Sequence, residues 1–180
     1  MATGMKLFGK KPAAQLPYAA FADELWNAGF FDNTEDWERR DSLREQVAQD
    51  GNWTISARVV HLDAENLAEG GMIAALFDIG TKLTVRSVLI ERLEEQFDEE
   101  RHSLIVNDST FVVRADEDRW LAATVAFFEA LNFLLRENRS GERAYALYGG
   151  NDLHGVFLTP MMLDVIKTHT NNEKEQPYSL

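Results

Sequence analysis

The chain has no cysteine, and that absence removes disulfides, thiolate metal sites and thiol redox chemistry while fitting a reducing compartment. Long apolar runs are missing too. None approaches the roughly 20 residues that a membrane-spanning helix needs, and Met5–Ala14 lacks the apolar centre of a signal peptide. The expectation is a cytoplasmic protein with no membrane partner. Basic residues are the third shortage: Lys and Arg number 18 against 30 Asp and Glu, for a formal net charge of -12 and a pI of about 4.7. Lys6, Lys10 and Lys11 are the only charges in residues 1–20, so removing them from the total leaves -15 on residues 21–180. Such a surface repels phosphate backbones and anionic lipids and attracts basic proteins. Nucleic acid is therefore not an expected partner, and a basic protein is. The same charge also serves plain solubility.

What is present is enough for one core. The 180 residues are 45% hydrophobic and 27% charged, the balance of a single globular domain. Residues 1–14 read as a flexible basic leader, 15–170 as one α+β domain and 171–180 as a polar C-terminal tail. No repeat or heptad array interrupts this plan.

The most informative stretch runs from Asp116 to about Ile166. Leu121, Val125, Phe128, Asn132 and Leu135 recur at four- and three-residue steps, with Trp120, Phe127, Leu131 and Leu134 widening the stripe, which predicts a long amphipathic helix. Asp116, Glu117 and Asp118 suit its positive end, and Arg136, Arg139 and Gly141 suit its close. Asn132 lies within the apolar stripe, where an unpaired amide is costly, so it should bond to backbone or to buried water. Ala144–Tyr148 and Val156–Thr159 then read as a hairpin around Gly149–Gly155, and Thr159-Pro160 as the cap and first position of a last helix.

Upstream, Tyr18, Phe21, Leu25 and Trp26 predict a first helix ending near Gly29, with Phe30 and Phe31 tucked into the core. Asp32-Asn33-Thr34 offers caps for a second, surface helix reaching about Ala48, with Trp37, Leu43 and Val47 as its sparse apolar contacts. The alternation from Trp53 to His61 predicts a half-buried strand. Met72–Phe77 and Lys82–Val88 are further strand candidates that would complete a meander, although Met72–Phe77 also suits a helix. Leu89, Leu93 and Phe97 predict a short helix, and His102–Val106 with Ser109–Arg114 a hairpin turning at Asn107-Asp108. The fold expected is an antiparallel sheet built from a meander and hairpins, packed against the long helix and flanking helices.

Two groups of residues invite a functional reading. On a helix, Glu91, Glu94, Glu95, Asp98, Glu99 and Glu100 would form a strongly negative face able to dock a basic protein, or simply a solvated one, and Trp37 with Glu35, Asp36, Glu38 and Asp41 would extend that face if folding brings them together. Asp152 and His154, in a glycine-rich turn, are of the types that orient and tune one another for proton transfer. Turn chemistry alone accounts for all of that segment except His154. His61, His102, His154 and His169 are isolated, with no pair at zinc-ligand spacing, so neither metal nor cofactor is expected.

These features favour a binding module over an enzyme: an acidic protein that neutralises a basic partner, on the pattern of a bacterial immunity protein occluding its toxin. The order of elements is also similar to that of the small acidic secretion chaperones, from which the hairpin at His102–Arg114 and the second N-terminal helix depart. A small hydrolase or nucleotide-acting enzyme using Asp152 and His154 is the reading from another class.

Overall fold

The computed structural model describes residues 16–82, 90–98, 101–114 and 118–180. Ala19–Asn27 forms helix α1 and buries Phe21, Ala22 and Leu25. Phe30 and Phe31 follow it into the core as expected. Helix α2, Trp37–Asp50, is capped by Asp36, whose carboxylate accepts from the N–H groups of Glu38 at 2.9 Å and Arg39 at 3.4 Å. Of its residues only Val47 and Ala48 are buried, so it is a surface helix. It ends at Gly51, whose φ of +76° lies in the left-handed region that a side chain disfavours.

The strand expected from Trp53 to His61 is mostly absent. The Asn52 side chain accepts from both the N–H and the hydroxyl of Thr54 and winds Trp53–Ile55 into a 3-10 turn. Only Val59–His61, strand β1, pairs with a neighbour. Ala64–Ala68 (α3) and Met72–Lys82 (α4) are helical. In α4, Met72, Leu76 and Ile79 are buried at four- and three-residue steps, so the helical period and not the strand reading holds there. The strand expected over Lys82–Val88 falls, apart from Lys82, outside the described residues.

The expected helix over Leu89–Phe97 is corrected as well. Leu93–Phe97 is strand β2, which pairs with His102–Val106 (β3), and β3 pairs with Ser109–Val112 (β4) through the expected turn at Asn107. A meander therefore exists, but further along the chain than predicted. β3, all five of whose residues are buried, gives β2 a ladder to join, and that pairing overrides its local helical pattern.

Arg119–Glu137 forms α5, 19 residues capped by Asp118 on the N–H of Leu121 at 3.0 Å. Its burial does not follow one stripe. Trp120 and Leu121 are exposed, while Ala122, Ala123, Ala126 and Ala130 are buried beside Phe127, Phe128, Leu131, Leu134 and Leu135. The cause is its position, for it packs against α3, β3, β4 and Arg143–Leu147 (β5) together. β5 and His154–Leu158 (β6) form the expected hairpin, and Pro160–His169 (α6) starts at Thr159, whose hydroxyl accepts from Met162 N–H.

Two antiparallel sheets result, β1-β6-β5 and β2-β3-β4. Both faces of the first are covered. Val60, Ala144, Ala146 and Phe157 face the core shared with α3, α4, α5 and the second sheet. Val59, Tyr145, Leu147, Val156 and Leu158 face the core shared with α1, α2 and α6. The outer edge of β5 is closed in two places. Asn132 makes a reciprocal pair with Ala144, donating to its carbonyl at 3.0 Å and accepting from its N–H at 2.8 Å. Tyr178, in the C-terminal segment, pairs in the same reciprocal way with Ala146.

Arg58 fixes the first sheet to the N-terminal helices. In the alternation from Trp53 to His61 it falls with Thr54 and Ser56 on the polar side of the expected strand, yet it is buried with its guanidinium against Glu142, also buried. It further donates to the carbonyls of Phe30 at 2.6 Å, Phe157 at 3.3 Å and Gly29 at 3.3 Å. Replacing Glu142 by Ala strands that charge and should cost about 3 to 5 kcal/mol in urea unfolding. The double change Arg58→Met with Glu142→Leu should recover much of it, and equal losses from both variants would argue against the charge as the cause. Asn132→Ala should cost about 1 to 3 kcal/mol by leaving both Ala144 backbone groups unpaired, against a negligible effect if that pairing is dispensable.

Candidate functional site

The strand at Leu93–Phe97 separates the acids predicted to share a face. Alternation turns Leu93 and Glu95 toward the core side of the second sheet, with His102, Leu104 and Val106, and sends Glu94 to the opposite side. The Glu95 side chain is only 7% exposed. Its carboxylate spans the start of α4, accepting from Met72 N–H at 3.3 Å and Ile73 N–H at 3.2 Å, and it meets His102 Nε2 at 3.1 Å. Burial pushes its pKa up, but the bonds from His102, Ile73 and Met72 outweigh burial and hold it below the usual carboxylate range. It is an interior helix cap and has no surface to offer a partner.

Glu91, Glu94 and Asp98 are exposed. Glu94 is engaged by the Arg92 guanidinium through two bonds of 3.0 Å, a hydrogen bond that lowers its pKa. Glu99 and Glu100 lie outside the described residues. Among the described residues, therefore, no single helical acidic face gathers this group.

A different acidic surface stands at the start of α2. Glu35, Asp36, Glu38, Asp41 and Glu45 are exposed there. Two of the three arginines in that stretch are committed elsewhere: Arg40 to Asp32 and to the carbonyls of Asp32 and Thr34, and Arg44 to Asp23 and the face of Trp26. Glu35, Glu38, Asp41 and Glu45 form no ion pair among the described residues. In their midst Trp37, expected as an apolar contact of the helix, is 67% exposed. The same stretch borders a cleft of about 320 Å³, lined by Glu35, Asp36 and Arg39 together with Leu43, Ile55 and Ala57, to which Trp37 itself does not contribute. Carboxylates beside aliphatic walls match the stem and charged head of a lysine or arginine. The residue types were legible in the sequence; the fate of Arg40 and Arg44, and the outward turn of Trp37, were not.

Asp152 and His154 do come close, through backbone. His154 Nδ1 donates to the Asp152 carbonyl at 2.7 Å, and the Asp152 carboxylate, exposed, is not the group that orients the ring. Cross-strand pairing instead brings His154 to His61, with ring centroids 5.2 Å apart. The distance between these two in the chain hid that neighbour from the sequence. Among the described residues no group of three His, Cys, Asp or Glu is placed to hold a metal ion, and no helix is long and apolar enough to cross a membrane. Comparison with protein-family models, with curated proteins and with solved structures returns no match.

A group whose pKa falls on folding stabilises the fold above its unfolded value, about 4.3 for Glu, and stops doing so as pH falls through the lower folded value. Wild-type stability should therefore decline in that acid range. Glu95→Gln should be less stable at neutral pH and lose less stability on acidification. Parallel stability curves from pH 7 to pH 3 would remove Glu95 as the source.

Proposed function

We propose that the protein is an acidic binding module for a basic protein partner, docked on the surface at the start of α2, and that its biological role is to neutralise that partner as an immunity protein neutralises a toxin. One observation carries the reading: a tryptophan 67% exposed on a stretch whose carboxylates Glu35, Glu38, Asp41 and Glu45 form no ion pair among the described residues, close in the chain to a cleft lined by Glu35, Asp36, Arg39 and aliphatic side chains. Interface energy concentrates in such aromatic anchors, where truncation commonly costs about 2 kcal/mol or more. The surrounding charge accelerates encounter and sets orientation. The net charge of -12 acts in the same direction over the whole surface. A role in holding a basic client for secretion uses the same surface and differs only in what the partner does when released.

Recovery of bound protein on the tagged chain, first at low and then at high salt, provides the partner. Its association rate should fall as salt rises, because exposed charges are screened within a Debye length of about 8 Å at physiological ionic strength. Trp37→Ala should weaken the complex at least tenfold, chiefly through faster dissociation. Joint reversal of Glu35, Glu38 and Asp41 to Lys should slow association, with the fold unchanged by circular dichroism. Affinity unaltered in both variants would overturn this surface as the docking face, and a partner that is harmless to cells when freed would overturn the neutralising role.

A further inference from the structure

We propose that His61 and His154 together form a binding site for a divalent first-row transition-metal cation at the β1–β6 ladder. The two residues pair directly across the strands. The flanking backbone bond from Leu62 N–H to the Leu153 carbonyl, at 2.8 Å, places them at a non-hydrogen-bonded position. Side chains there stand closer than at the alternate positions of an antiparallel ladder.

The His154 ring is prepared as a ligand. Its Nδ1 proton is committed to the Asp152 carbonyl at 2.7 Å, which leaves the lone pair on Nε2. A second ring nitrogen bonded to a backbone carbonyl is the arrangement that orients metal-binding imidazoles. Tyr148 flanks the same ring with centroids 5.6 Å apart, and its own carbonyl accepts the Tyr178 hydroxyl at 2.7 Å, so this wall of the site is anchored. His61 is exposed and makes no side-chain hydrogen bond among the described residues, leaving its ring free to turn.

The spacing fits. A zinc–nitrogen bond of about 2.0 to 2.1 Å puts a ring centroid about 3.2 Å from the metal, so two imidazoles at the tetrahedral angle have centroids about 5.2 Å apart. The observed separation is 5.2 Å, with the ring planes at 85°. Binding requires the His61 ring, which holds no hydrogen bond among the described residues, to turn a nitrogen toward the metal on His154 Nε2. Two imidazoles leave the remaining positions to solvent. Neutral nitrogen donors favour zinc, nickel or copper over magnesium or calcium, and the -12 net charge raises the local cation concentration.

The test is calorimetric titration of the full chain, freed of metal by chelation, with Zn²⁺ and separately with Ni²⁺, followed by thermal melting at saturating metal. One equivalent should bind, raise the melting temperature and resist a large excess of Mg²⁺. His61→Gln and His154→Gln should each weaken binding at least tenfold while melting as the wild type does without metal. His169→Gln should bind as the wild type, because its ring is engaged by Glu24 at 3.1 Å away from this ladder. Absence of binding overturns the proposal. So does unchanged affinity in the His61→Gln, His154→Gln double variant, or an equal loss in His169→Gln.

Discussion

The fold depends on a charge that is almost wholly removed from water. Arg58 stands between the turn after α1, strand β6 and the segment that leads into β5, and it satisfies acceptors from each. Its compensation is Glu142, which the chain delivers at the entrance to β5. A buried ion pair is rarely a net gain over well-packed apolar residues. What this one supplies is position. A guanidinium with five fixed donors accepts one arrangement of surrounding carbonyls and rejects neighbouring ones. The helical layer of α1 and α2 thereby acquires a defined seat on a sheet whose apolar face alone would tolerate sliding.

The first sheet turns this anchoring into a scaffold for surfaces. Because β5 and β6 are covered on both faces, they have little apolar area left to show. The remaining exposure lies at the edges, and on β5 the outward peptide groups of Ala144 and Ala146 are already taken by Asn132 and Tyr178. An amide side chain from a helix thus completes the ladder in place of a neighbouring strand, which blocks edge-to-edge association. The acidic start of α2 and the histidine pair at β1–β6 are mounted on different elements, one on a helix and one on a ladder, and share no residue.

Elements announced by local chemistry were legible in the sequence. The cap and proline at Thr159-Pro160, the turn at Asn107-Asp108 and the bonding demand of Asn132 each follow from one or two residues acting on their own backbone, and each stands as expected. Elements defined by a distant partner were not. Leu93–Phe97 carries a helical pattern and becomes a strand because β3 lies beside it, and with that change Glu95 passes from an expected docking residue to the interior cap of α4. Arg58 looked polar and outward because Glu142 is far along the chain. His154 stands beside Asp152 in the sequence, whose carbonyl orients the ring, while its cross-strand neighbour His61 is far away along the chain. Net charge pointed to a basic partner, but where that charge goes unpaired depends on which arginines are spent within the fold.

The alternation of β5 and β6 between two cores has a consequence for how the molecule comes apart. Leu147 and Ala146, or Val156 and Phe157, are chain neighbours that belong to different apolar clusters. A disturbance in either cluster shifts the same backbone, so the two halves cannot melt independently, and the hairpin makes a single cooperative unit of what would otherwise be two.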